Sequence, residues 1–307
     1  MQHHAAIIDL GTNTFKLLVC DRSEGRLHVI HREELPVYLG RGGIEQGVIA
    51  ADAMERGMEA LRAFRDTALS HGVHTLKGFG TSALRNARNA DEFLRRAKAE
   101  LDIDISVIAG NEEAGLILDG VRQAVSLGNK PVLIMDIGGG STEFILATEK
   151  ALMWKRSFEL GVTRLRERIP TSDPMSLEEE TRIAEHLDNL LEPLYAVIER
   201  HEPHLLVGSA GSFDTLAAMV LAEQGLVLDP LDITLPFSAL TFDALKDRLM
   251  RMDRAERLTV PGLPEHRVDT VCYALIQIER VLIAGGIREL AWSRYALKEG
   301  AASRLTT

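Results

Sequence analysis

Asp136-Ile137-Gly138-Gly139-Gly140-Ser141-Thr142-Glu143 is the stretch on which the fold turns. Pro131-Val132-Leu133-Ile134-Met135 leads into it, and Phe144-Ile145-Leu146-Ala147 leads out. Short apolar runs with Val and Ile, bounded by glycines, predict buried strands. The loop is therefore expected to join two strands in a hairpin. Consecutive glycines let the backbone turn sharply and approach a ligand closely. Successive backbone N–H groups in such a turn form an anion-binding concavity. Gly138, Gly139, Gly140, Ser141 and Thr142 are thus candidate phosphate contacts, the two hydroxyls adding donors. Asp136 and Glu143 would repel a phosphate on their own. They make sense as candidate metal ligands, because Mg2+, or another divalent cation of similar hardness, takes oxygen ligands. A Rossmann loop or P-loop would pass from a strand into a helix. Here strand-like residues follow, and no Gly-Lys-Ser/Thr appears.

A lone glycine run is as often a structural turn. A second copy of the pattern decides for function. Ala5-Ala6-Ile7-Ile8 leads into Asp9-Leu10-Gly11-Thr12-Asn13-Thr14-Phe15, followed by Leu17-Leu18-Val19. Both copies read apolar run, Asp, apolar residue, Gly, hydroxyl-rich turn, apolar run. Self-similarity of this kind predicts two related domains, each opening with a hairpin loop. Gly11, Thr12, Asn13 and Thr14 join the candidate phosphate contacts, and Asp9 joins the candidate metal ligands. The boundary is expected between residues 128 and 129, with the last helix free to pack back on the N-terminal domain. Two such loops facing each other would clamp a phosphate chain from both sides.

The 307 residues suit two domains with substantial cores. A net charge of −10 excludes broad nucleic-acid binding, which wants a basic surface. The two cysteines, Cys20 and Cys272, lie in apolar segments and predict reduced core thiols in a cytoplasmic protein. No apolar run is long enough to span a membrane. Met1-Gln2-His3-His4 lacks a basic n-region and is not a signal peptide. A homodimer is left open.

Taken in order, Ala51–Ser70 carries Met54, Met58, Leu61, Phe64 and Ala68 at helical spacing and predicts a core-facing helix. Thr75–Gly80 predicts a strand, and Arg85 follows its end, where ligands gather in open α/β sheets. Its guanidinium fork matches phosphate oxygens. Gly110-Asn111-Glu112-Glu113-Ala114 opens a helix with Asn111 as the expected N-cap. Glutamate in a first helical turn is commonplace, since the macrodipole favours a carboxylate there. The functional reading is a general base kept ionised at neutral pH in the cleft between the domains. Arg41, Arg164 and Arg166 are further cations near expected turns. Ser176-Leu177-Glu178-Glu179 is a capping box opening a long helix. Gly208-Ser209-Ala210-Gly211-Ser212 follows the short strand Leu205–Val207 and feeds a helix. Gly208, Ser209 and Gly211 are candidate contacts there, because a small-residue turn into a helix N-terminus suits an anion or nucleoside. One helix is expected over Glu265–Ala284, and Leu290–Trp292 predicts the last strand.

As a set, these pieces resemble the exopolyphosphatase and guanosine pentaphosphate phosphohydrolase (Ppx/GppA) family of the actin-like, sugar-kinase and Hsp70 ATPase superfamily. The carrying stretches are Asp9–Thr14, Thr81–Ala87, Gly110–Ala114, Asp136–Glu143 and Gly208–Ser212, in the family's order. The resemblance implies a two-domain actin-like (ribonuclease H-like) α/β fold with mixed sheets flanked by helices and a cleft between domains. It implies that Glu113 is the catalytic glutamate that activates water. Asp136 and Glu143 match carboxylates associated with Mg2+, Arg85 matches a cleft arginine that binds substrate phosphate, and Asn13 and Gly138–Ser141 match phosphate-loop positions. Ala109, Thr12 and Thr14 are mild departures. Long members carry extra C-terminal helical domains, so the resemblance does not extend to processive action on very long chains. The implied reaction is release of terminal phosphate from polyphosphate, or of the 5′ γ-phosphate from guanosine pentaphosphate. Rival readings are an ATP-dependent kinase or ATPase of the same superfamily, and a non-catalytic guanosine tetraphosphate-binding protein.

Overall fold

The structure, a computed structural model, describes residues 4–23, 26–74 and 76–304. Residues 1–3 and Thr75, which enter the readings above, lie outside the described residues. The first sheet holds β1 (Ala5–Leu10), β2 (Thr14–Ser23), β3 (Arg26–Pro36), β4 (Leu76–Gly80) and β5 (Asp104–Val107), in spatial order β3-β2-β1-β4-β5. The second holds β6 (Val132–Ile137), β7 (Thr142–Ala147), β8 (Leu152–Phe158), β9 (Leu205–Ser209), β10 (Thr234–Ser238) and β11 (Glu289–Ser293), in order β10-β11-β9-β6-β7-β8. In each sheet a meander of two antiparallel hairpins is followed by parallel strands on the other side of its first strand. The second sheet repeats the first and adds antiparallel β10 at its edge. This is the two-part mixed α/β architecture expected from the doubled motif, with both glycine loops in hairpins as predicted. β6 is buried on both faces along its whole length, so it reads as a continuous apolar run instead of alternating.

Helices α1 (Ala51–Ser70), α2 (Ser82–Asn86) and α3 (Ala90–Leu101) lie in the first half of the chain, ahead of α4 (Gly110–Ala124). The second half carries α5 (Val162–Arg168), α6 (Leu177–His201), α7 (Ala210–Glu223), α8 (Ala239–Arg251), α9 (Arg254–Arg257), α10 (Val271–Gly285) and α11 (Leu297–Ser303). The expected apolar stripe of α1 is buried, and the Ser176–Glu179 capping box opens α6, which runs through Pro193. One apolar cluster lies under α1 and α3, and another lies among α5–α8 and α10. A third joins Ile7 and Leu18 of the first sheet to Val132, Ile134 and Ile145 of the second through Ile117, Val121, Leu297 and Ala301. Helices α4 and α11 thus form a layer shared by both sheets. α4 packs on β7 and β8, and α11 packs on β1 and β2. Their own contact is close: a Cβ on Gly120 would come 2.0 Å from the Ala296 carbonyl oxygen, and one on Gly300 would come 1.8 Å from that of Leu116.

Three local expectations are corrected. Ala109, not Asn111, is the N-cap of α4, and no side chain caps it. The expected helix over Glu265–Ala284 is split into a 3-10 turn at Glu265–Arg267 and α10, and Arg267 at the break lines the cleft. β10 went unread because Pro236 interrupts its apolar pattern, which suits the edge strand it proves to be.

Candidate active site

The two glycine loops face each other across a cleft. A Cβ on Gly139 would lie 2.8 Å from the Asn13 side chain, and one on Gly140 would lie 2.6 Å from both Thr12 Oγ1 and Ser82 Oγ. Glycine is required at both positions by this close approach. Thr163 Oγ1 donates to Asn13 Oδ1 (2.7 Å). Behind the second loop, the N–H groups of Val162 and Thr163 donate to the carbonyls of Gly138 and Gly139 (3.0 and 2.9 Å). Arg164 is 7% exposed, and its Nε donates to Gly140 O (3.0 Å). It braces the loop and is not among the cleft-lining residues.

The cleft is lined by Asp9, Gly11–Thr14, Glu113, Asp136, Gly138–Ser141, Glu143 and Gly211, all singled out from sequence. Lys16, Thr81, Ser82, Asp214, Arg267, Arg294 and Lys298 also line it, and sequence reasoning passed over them. Thr81 and Ser82 sit in the quoted Thr81–Ala87 stretch and could have been found there. The others carry no local signal and are brought in by β2, α7, α11 and the connections before α10 and α11.

Four expected contacts are placed elsewhere. Thr142 is fully buried and donates to Gln277 Oε1 (3.0 Å) in the core. Gly208 packs under Phe213, whose ring a Cβ would meet at 1.8 Å. Ser209 is fully buried and donates to Asp136 Oδ2 (2.7 Å), so it orients a carboxylate. Arg85 is not among the cleft-lining residues. Its Nη1 donates to Glu113 Oε2 (2.8 Å) and to Ile108 O (3.2 Å), and its Nη2 lies 3.4 Å from Glu159 Oε1.

The carboxylates are crowded. Asp136 and Glu143 are direct cross-strand partners of β6 and β7, only 6% and 1% exposed. Like charges directly opposite are destabilising. Burial pushes Asp136 up to about 6 against the Ser209 bond, with Asp9 adding to the rise. Burial raises Glu143 well above the usual range, and the charges of Glu113 and Asp136 add to it. Asp9 is raised by burial against the pull of Lys298 and Lys16. Glu113 is delivered beside them because α4 abuts β8: a Cβ on Gly110 would come 2.4 Å from Ser157 Cβ. Ser157 in turn donates to Glu143 Oε1 (2.6 Å). Burial drives Glu113 up to about 8, Arg85 opposes this, and Asp9 and Asp136 add to it. Desolvation works against the expectation that the helix N-terminus keeps Glu113 ionised.

Among the described residues, no group of three or more His, Cys, Asp or Glu side chains is gathered to hold a metal by itself. This suits Mg2+, which takes one or two carboxylates and completes its shell with water and phosphate oxygens. Paired buried carboxylates with raised pKa values form a donor set that a divalent cation would relieve, so the residues present fit one.

The family model of the Ppx/GppA phosphatase family matches residues 18–306. The chain belongs to this family. An exopolyphosphatase 2 from Mycobacterium tuberculosis is 30% identical over 315 residues, covering 98% of this chain and 98% of the relative. The crystal structure of an exopolyphosphatase from Cytophaga hutchinsonii superposes with a TM-score of 0.95 at 38% identity, covering 98% of this chain and 96% of that one. A Ppx/GppA enzyme from Aquifex aeolicus shares the fold at a TM-score of 0.83 and 24% identity. Ppx/GppA membership thus spans both lobes. No described helix is long and apolar enough to cross a membrane.

Proposed function

We propose that the chain is a phosphoanhydride hydrolase that removes the terminal phosphate of inorganic polyphosphate. The observation that carries this reading is Glu113 facing two glycine loops across one cleft. Family membership and exopolyphosphatase relatives covering nearly the whole chain support it. The backbone amides of Gly11–Asn13 and Gly139–Ser141 hold the phosphate chain from both lobes, while the Gly138 N–H closes the hairpin on Ser141 O (3.0 Å). Phosphoryl transfer asks mainly for positioning and charge neutralisation. The directly paired carboxylates Asp136 and Glu143 would hold a divalent cation, with Asp9 lining the same cleft from the first lobe. When bound there, it neutralises phosphate oxygens and draws the neighbouring carboxyl pKa values down.

Glu113 takes the proton of a water whose oxygen attacks the terminal phosphorus. The P–O anhydride bond breaks, and the shortened chain departs with the bridging oxygen. A base poised near the operating pH is the most effective one, and burial with neighbouring acids puts Glu113 in that range. Arg85 holds the glutamate and limits its rise. We assign Arg85 as a positioning residue.

The test is orthophosphate release from polyphosphates of several lengths, guanosine pentaphosphate and ATP, with Mg2+ present. Release from polyphosphate without ATP is expected. A requirement for ATP and an acceptor would favour the kinase reading, and binding without turnover would favour the guanosine tetraphosphate sensor. Guanosine pentaphosphate carries the same terminal anhydride and is the second substrate to test.

A further inference from the structure

Lys298 is 8% exposed and lines the cleft, yet among the described residues it makes no hydrogen bond or ion pair. The other cleft cations are committed. Lys16 Nζ lies 3.3 Å from both Glu34 and Asp214. Arg267 sits against Gly211 and 3.4 Å from Glu34. Arg294 donates to the backbone carbonyls of Asp229 and Asp232 and lies over the Trp292 ring. Lys298 Nζ is not among the buried polar atoms left without a partner, so the ammonium is open to the cleft, where a ligand anion would complete its pairing.

Its position is held firmly. Glu299, the next residue, is fully buried and accepts from Ala296 N (3.0 Å), which fixes the start of α11. Gly300 and Gly120 then seat α11 against α4, the helix that carries Glu113. Lys298 is within electrostatic reach of Asp9 and Glu34, so it stands at the first-lobe side of the cleft. One layer therefore presents both the base and a cation that no ion pair holds.

The geometry points to Lys298 as a substrate-binding residue whose ammonium contacts phosphate oxygens of the bound phosphate chain. This rests on the proposed function, and it adds a residue to that site. A hydrogen bond between charged partners of this kind corresponds to about ten- to hundredfold in affinity.

Tripolyphosphate binding is measured by calorimetry for the wild-type protein, Lys298→Met and Lys298→Arg, alongside orthophosphate release. Methionine keeps the buried stem and removes the charge; arginine restores it. The expected result is binding weakened about ten- to hundredfold in Lys298→Met and largely recovered in Lys298→Arg. Wild-type hydrolysis with unchanged tripolyphosphate affinity in Lys298→Met would overturn the assignment and leave the function standing. Weakened binding in that variant, with no hydrolysis by the wild-type protein, would keep the anion site and overturn the function. Should Lys298→Met fail to fold, a wild-type crystal with tripolyphosphate decides. A phosphate oxygen within hydrogen-bond distance of Lys298 Nζ supports the proposal, and a bound chain that leaves Nζ untouched refutes it.

Discussion

Glu113 is stabilised by one partner and destabilised by its surroundings. Arg85 bonds it at 2.8 Å, while burial and the charges of Asp9 and Asp136 push it up to about 8. An acid whose folded pKa exceeds its unfolded value holds its proton longer in the native state. Stability is then lost as pH rises from the ordinary carboxyl value toward about 8. Glu113→Gln removes that loss. The melting temperature of the variant relative to wild type is expected to climb between pH 5 and pH 8, roughly the window bounded by those two pKa values; a constant difference would contradict the buried, raised glutamate. Removing Arg85 acts in the opposite direction on the same group. Arg85→Ala deletes the charge that lowers the Glu113 pKa, so the rising limb of the pH–rate profile should move to higher pH. A profile of lower height but unshifted limb would assign Arg85 no influence on the base. Arg85 illustrates what sequence reasoning can and cannot reach. Its type and its place after β4 marked it as functional, but its partner was settled by the packing of α4. Lys298 was passed over because a lysine between Leu297 and Glu299 has the pattern of any amphipathic turn.

At the scale of elements, the hairpins were legible because apolar runs, Asp and glycine all point to the same local structure. The place of α4 in the shared helical layer was not. Nothing local in Gly110–Ala124 says that the helix will lie on β7 and β8, across the expected boundary after residue 128. That placement depends on small residues at contacts distant in sequence. Gly110 is one such contact, since a Cβ there would come 2.4 Å from Ser157 Cβ. Gly110→Ala must push α4 off β8 or displace Ser157 and with it the bond to Glu143. Overpacking of this kind costs about 1–3 kcal/mol. The expected outcome is a modest fall in melting temperature with a disproportionate fall in kcat, because Glu113 rides on the same turn. Loss of stability with unchanged kcat would show that the base is positioned independently of this contact.

The whole molecule is drawn together by polar contacts around the cleft mouth. Glu159 accepts from Ser82 Oγ (2.9 Å), Asn86 Nδ2 (3.0 Å) and Arg164 Nη2 (2.8 Å). Glu45 receives Arg164 and Arg168 from the other half of the chain (3.2 and 2.9 Å). Glu45→Ala with Glu159→Ala should loosen the two halves, speed amide exchange at Gly138–Gly140 and raise KM more than it lowers kcat. Unaltered exchange there would mean that the loops alone hold the cleft shut. The central claim is that these halves grip a phosphate chain while Glu113 activates water at its end. It is tested most directly by digesting polyphosphate in 18O-labelled water and following the products by 31P NMR. The account predicts one 18O atom in each released orthophosphate, chains shortened from their ends, and a rate about 10²- to 10⁴-fold lower in Glu113→Gln. Label-free orthophosphate, cleavage within the chain, or full turnover by Glu113→Gln would contradict it.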